Sequence, residues 1–159
     1  MALTTEKSIQ VSNAAAGIAN DSADYKGSLV PFKVDFTQGA AAGDTASTAD
    51  LMELPPGKWR YIQDLSKLFH SALGTGRLLD IGHTGYTEPD GDVIAADVDA
   101  IDSLHDVAAA GSYAPGDELT VDGTLVINSR TKVLIQGRVT VTSLPAGATI
   151  KGILMFMRG

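Results

Sequence analysis

Lys132-Val133-Leu134-Ile135-Gln136-Gly137-Arg138-Val139-Thr140-Val141-Thr142 and Thr149-Ile150-Lys151-Gly152-Ile153-Leu154-Met155-Phe156-Met157, joined by a turn at Pro145-Ala146-Gly147, decide the fold class. In the first run Val133, Ile135, Gly137, Val139 and Val141 alternate with Leu134, Gln136, Arg138 and Thr140. A period of two puts one set on each face of a strand. In the second, Ile150, Gly152, Leu154 and Phe156 alternate with Lys151, Ile153, Met155 and Met157, so apolar side chains stand on both faces. Such a strand is buried on both sides or meets another subunit.

The same period recurs upstream. Val30, Phe32, Val34 and Phe36 alternate with Pro31, Lys33, Asp35 and Thr37, and Pro31, which has no ladder donor, places that strand at an edge or at its own start. Leu51 to Leu54 reads as a short strand stopped by Pro55-Pro56-Gly57. Leu78, Leu79 and Ile81 open another after the turn Gly74-Thr75-Gly76, and Glu88-Pro89-Asp90-Gly91-Asp92 is a further turn. Leu119 and Val121, then Asp122-Gly123, then Leu125 to Ile127 read as a hairpin. Gln38 to Asp50 and Ala108 to Gly116 read as loops. Two segments resist the period. Ile62, Leu65, Leu68, Phe69 and Ala72 sit at helical spacing within Trp59 to Leu73, and Ile94, Val98, Ile101 and Leu104 do so within Val93 to Val107. Spacing alone predicts a helix in the first and a short helix or irregular excursion in the second.

These runs predict an all-β chain, a β-sandwich or jelly-roll-like barrel over 29–159. Residues 1–28 are Ala, Ser, Asn, Gly and Asp around isolated apolar positions, too little apolar surface to offset the roughly 1–2 kcal/mol per residue that ordering a backbone costs. They read as an extended or flexible N-terminal arm. Ile9, Val11, Ile18 and Tyr25 are its candidate partner-binding residues, ordering against a neighbour by adding to a sheet edge or lying across its surface. Trp59, between Lys58 and Arg60, is the fifth candidate, an interface anchor or a core residue.

The chain of 159 residues has 12 Lys and Arg against 19 Asp and Glu, a formal charge of −7. That balance repels a polyphosphate backbone, and no basic stripe appears along the sequence, so nucleic acid is not an expected partner. No apolar run is long enough for a membrane span, and Met1 to Gln10 lacks the apolar run of a signal peptide. With no cysteine there is no disulfide, thiolate metal site or cysteine nucleophile. His70, His83 and His105 come without a G-x-S-x-G nucleophile elbow and read as structural. Asp90, Asp92, Asp97, Asp99, Asp102 and Asp106 invite a calcium reading, but Ile101 stands where the third ligand of an EF-hand loop belongs and Asp102 where its glycine belongs. Turn formation is the simpler role for these acids. The sequence therefore assigns no catalytic, cofactor-binding or metal-binding residue.

Val34-Asp35-Phe36-Thr37-Gln38-Gly39-Ala40-Ala41-Ala42-Gly43-Asp44, Ser47-Thr48-Ala49-Asp50-Leu51, Leu79-Asp80-Ile81-Gly82-His83, Tyr86, Asp90-Gly91, Ala108-Ala109-Ala110-Gly111 and Leu144 to Gly152 resemble small virion proteins of tailed bacteriophages, the capsid decoration or cement proteins. The resemblance runs from Val34 to Phe156 and leaves the arm outside. It implies a jelly-roll-like fold, a strand in place of the helix at 59–73, and a place on the capsid exterior of a virion assembled in the host bacterial cytoplasm. The implied partners are the major capsid protein and further copies of the chain, in a homotrimer. A phage tail or fibre-associated structural or receptor-binding module is the alternative role.

Overall fold

The computed structural model describes residues 28–43, 47–119 and 124–159. Two antiparallel sheets pack face to face around one apolar core. The strands are β1 (Leu29–Thr37), β2 (Thr48–Leu54), β3 (Gly57–Tyr61), β4 (Lys67–His70), β5 (Leu78–His83), β6 (Tyr86–Thr87), β7 (Val93–Ile94), β8 (Asp97–Asp106), β9 (Gly111–Tyr113), β10 (Val126–Ser129), β11 (Val133–Thr140) and β12 (Thr149–Arg158).

The six-stranded sheet is organised by β12. Along one side it pairs with the whole of β1, from Leu29 opposite Met157 to Thr37 opposite Thr149. Along the other it meets β3 at Phe156 to Arg158 and β4 at Ile150 to Ile153, so β3 and β4 lie end to end and continue outward to β10 and β9. The four-stranded sheet runs β2-β11-β5-β8, and β6 and β7 form a separate hairpin.

Alternation explains the inward face. Val30, Phe32, Val34 and Phe36 of β1, Ile150, Leu154 and Phe156 of β12, and Val133, Ile135 and Val139 of β11 are all buried, as the period of two requires. Edge-to-face contacts tie the aromatic centre together, with Phe32 5.4 Å from Trp59 and 5.8 Å from Phe156.

The two segments of helical spacing are both strand, which corrects those expectations. Between β3 and β4 the chain makes one 3-10 turn, Gln63–Leu65, and the strand resumes one step out of phase. Ser66 closes the break: its hydroxyl donates to the Ile62 carbonyl at 2.8 Å and accepts the Met155 N–H at 2.8 Å, standing in for a ladder bond. The apolar residues of two strands, summed across that turn, imitate a 3.6 period. In β8 the register against β5 shifts twice, and Leu104 takes a positive φ of 55° so that its N–H reaches the Asp80 carboxylate at 2.9 Å. Each bulge resets the alternation. The loop expected at Ala108 to Gly116 also contains β9, and β2 begins at Thr48, three residues before the expected Leu51. The hairpin expected at Asp122-Gly123 lies outside the described residues, and so does nearly all of the arm.

Candidate functional site

The outward face of the six-stranded sheet is apolar along its middle and cationic around it. Register fixes the rows. Leu29 stands beside Met157, Pro31 beside Met155, Lys33 beside Ile153 and Lys67, and Asp35 beside Lys151 and Phe69. Leu65, on the 3-10 turn, projects over the same area. Leu65 and Phe69 are about half exposed, at 50% and 51%, and Ile153 is 43% exposed. Together with Val34 and Gly152 they floor a shallow groove of about 460 Å³ edged by Lys33, Asp35, Lys67 and Lys151. Contiguous apolar side chains of this kind mark interaction surfaces more often than scattered single ones do.

Charge on this face runs against the chain as a whole. Lys33, Lys58, Arg60, Lys67 and Lys151 all occupy outward positions of β1, β3, β4 and β12 and are exposed. The carboxylate on these strands is Asp35, which Lys33 approaches at 3.4 Å and Lys151 at 3.1 Å. The hydrogen bond from Lys151 is the largest influence holding Asp35 below the usual carboxylate range. Lys67 stands over the Phe69 ring, its Nζ 5.3 Å from the centroid. An ionised carboxylate fixed by lysines, beside apolar side chains, gives this groove the means to bind a surface.

The four-stranded sheet has the opposite character. Asp50 accepts from Gln136 at 2.6 Å, Glu53 pairs with Lys132 at 2.9 Å, and the buried Asp80 pairs with Arg138 at 2.8 Å. Its edge strand β8 carries Asp97 and the partly exposed Asp99 at one end and Asp106 at the other, next to Leu104, which is 57% exposed. Asp99 is raised above the ordinary aspartate value, chiefly by the hydrogen bond it shares with the Asp97 carboxyl. Several acids of this region shape turns: Asp90, Asp97 and Asp106 each accept the backbone N–H two residues on. Among the described residues no group of three His, Asp or Glu converges as a metal set.

A buried polar cluster lies at the end of β8 and β9. The Asp102 carboxyl, 2% exposed, accepts the N–H of Gly116 at 2.9 Å and of Asp117 at 3.2 Å through Oδ1, while Oδ2 has no hydrogen-bond partner. Tyr113 stacks on His105 at 3.4 Å, and its buried hydroxyl is likewise unpartnered. His70 meets both rings edge-on and bonds the Ser71 carbonyl through Nδ1 at 3.1 Å, and His83 bonds that of Thr84 at 2.9 Å. Burial pushes Asp102 up to about 6 from 3.8, and burial with His70 nearby lowers His105.

An acid raised in the folded state contributes stability that is full below 3.8 and lost as pH rises through about 6. Asp102→Asn keeps the Oδ1 acceptor and removes the buried charge. The variant is expected to match the parent near pH 3.5 and to exceed it at pH 7 by up to about 3 kcal/mol, the full conversion of such a shift. Melting curves of both proteins from pH 3.5 to 7.5 check this, and a stability difference that does not vary with pH contradicts it. The depressed His105 works in the opposite direction, but it is common to both chains and drops out of the comparison.

Of the residues singled out in the sequence, Trp59 lies in the core at 1% exposure, donating its indole N–H to the Pro55 carbonyl at 2.7 Å. Arg158 lies over its ring at 5.2 Å. Between the two roles open to it, the fold gives it the core one. Ile9, Val11, Ile18 and Tyr25 lie outside the described residues. The groove residues Leu65, Lys67, Phe69 and Lys151 were not singled out, although the doubly apolar pattern of β12 pointed to Ile153, Met155 and Met157. The lysines are scattered along the chain and meet only because they share the outward parity on adjacent strands, so the sequence-level reading of no basic stripe gives way to a cationic face in the fold.

No family model matches the chain, and no curated protein matches its sequence. Its fold is similar to that of a chain from the capsid of Ralstonia phage GP4, with a TM-score of 0.62 and 18% sequence identity over 86% of this chain and 88% of that one. A second likeness, to the Clostridium thermocellum xylanase 10B CBM22-1-GH10 modules, has a TM-score of 0.36 and 15% identity over 86% of this chain and 29% of that one. The first of these shows that the β-sandwich is an arrangement also found in a phage capsid chain.

Proposed function

We propose that this chain is a non-enzymatic virion protein, a head decoration or cement protein that binds the outside of a phage capsid and stabilises contacts between major capsid subunits, self-associating as a homotrimer. The observation that carries the reading is the likeness in fold to a chain of a phage capsid, over 86% of this chain and 88% of that one. The site geometry supports it. The exposed groove is built from apolar side chains and fixed ion pairs, which suit docking against protein. In this reading Ile9, Val11, Ile18 and Tyr25 reach the capsid, and the sandwich supplies bulk and copy-to-copy contacts.

The test is co-sedimentation of the full chain with heads that lack it. Saturable binding at a fixed ratio to the major capsid protein is expected. Replacing Ile9, Val11, Ile18 and Tyr25 together by serine is expected to reduce occupancy at least tenfold without changing the melting temperature of the sandwich. A chain that never binds heads overturns the reading, and binding confined to tails moves it to the tail-module alternative. Unchanged occupancy of the serine variant overturns the role given to the arm.

A further inference from the structure

We infer that copies of this chain associate head to tail, the acidic edge strand β8 of one copy docking into the lysine-rimmed apolar groove on the six-stranded sheet of the next. The inference rests on the self-association proposed above but not on the capsid.

The groove and the strand complement each other in sign. Leu65, Phe69 and Ile153 present an apolar floor between Lys33, Lys67 and Lys151, with Asp35 the one acid on that rim, so the lysines leave it net cationic. On the opposite sheet β8 pairs with no strand but β5 among the described residues; beside Leu104 the Ser103 N–H is taken by the Asp117 carboxylate at 2.8 Å, which adds another acid to that edge. It holds out Leu104 between Asp99 and Asp106, and its residues include no lysine or arginine. Leu104 has a positive φ secured by the Asp80 carboxylate, and its side chain is more than half exposed. The Asp99 carboxyl shares a hydrogen bond with that of Asp97 and also feels its charge, so a neighbouring lysine would favour the ionised pair. A chain of net charge −7 would ordinarily repel its copies, so association between them has to bring unlike patches together. The cationic face and the acidic edge are such patches, and they lie on different sheets. A contact between two different surfaces is heterologous, and it closes into a ring when the rotation between copies allows.

The experiment is sedimentation velocity of the isolated full chain over a concentration series at low and moderate salt. Association that weakens with salt is expected, because its rim is charged. Lys67→Glu with Lys151→Glu, and separately Asp97→Lys with Asp99→Lys, are each expected to weaken association at least tenfold. Combining all four substitutions in one chain restores opposite signs and is expected to recover it. Should a charge variant fail to melt cooperatively, Phe69→Ala with Leu104→Ala, both at exposed positions, gives the same loss. Association that survives the charge or apolar changes overturns this inference and leaves self-association standing. Failure of the fourfold variant to recover also overturns it. A chain that is monomeric throughout overturns both.

Discussion

Trp59→Ala is expected to remove about 3–5 kcal/mol of stability, the usual cost of truncating a large core aromatic. Trp59 is 1% exposed and packs edge-on against Phe32, which in turn meets Phe156, so the cavity opens at the meeting point of β1, β3 and β12. The truncation also leaves the Pro55 carbonyl without its indole donor and Arg158 without the ring beneath it. Trp59→Phe keeps one ring but loses the rest of the indole's volume and its hydrogen bond, so it is expected to cost about 1–3 kcal/mol. Calorimetry or circular dichroism is the right measurement, since the sole tryptophan is the residue being removed. Equal melting temperatures for the alanine variant and the parent would show that the aromatic centre does not hold the sheets together.

Gly152→Ala is expected to be nearly as severe, at about 3 kcal/mol or more, although it adds a single methyl group. Gly152 has φ 145°, a conformation that residues with a Cβ rarely adopt, and a Cβ there would overlap the carbonyl oxygen of Lys67. The obstruction is backbone in the neighbouring strand, which cannot move aside without breaking the β4 and β12 pairing. Gly82 is held by a similar approach, its missing Cβ directed at the Asp97 carbonyl of β8. The Gly152 variant is expected to lose about 10 °C of melting temperature. Because Gly152 lies in the floor of the groove, it should also weaken the association of copies, whereas Gly82→Ala should lower stability through the other sheet. A Gly152→Ala chain as stable as the parent would contradict the close approach of these two strands.

The parts of the fold legible in sequence are those where alternation runs unbroken. β1, β11 and β12 keep strict parity over most of their length, but Val141, expected to continue the apolar set of β11, lies past the strand's end at Thr140 with a φ of 74° and is exposed. The turns at Pro55-Pro56-Gly57, Glu88 to Asp92 and Pro145 to Gly147 were legible because they combine proline or aspartate with glycine. Parity failed where the backbone slips. The 3-10 turn at Gln63–Leu65 and the two register shifts in β8 each convert a two-residue period into apparent three- and four-residue spacing, and nothing in single-residue propensity marks such a slip. Short strands were lost differently: β9 is three residues of Gly, Ser and Tyr, held by its pairing to β4 rather than by its own apolar content.

The candidate site was half legible. Apolar outward residues on β12 announced a covered or partner-facing strand, and Ile153, Met155 and Met157 take that place. The charge around them was hidden, because Lys33, Lys67 and Lys151 come from three separate stretches of sequence, and only the pairing of β1, β12 and β4 makes them neighbours. Conversely Trp59, flanked by two cations in sequence, looked suited to an interface. Its parity turns it inward while Lys58 and Arg60 take the outer face.

Electron cryo-microscopy of heads saturated with the purified chain bears most directly on the central claim. Added density that fits this β-sandwich, outside the shell and touching the major capsid protein, is the expected result. Heads that stay bare, or density found only on the tail, would contradict it.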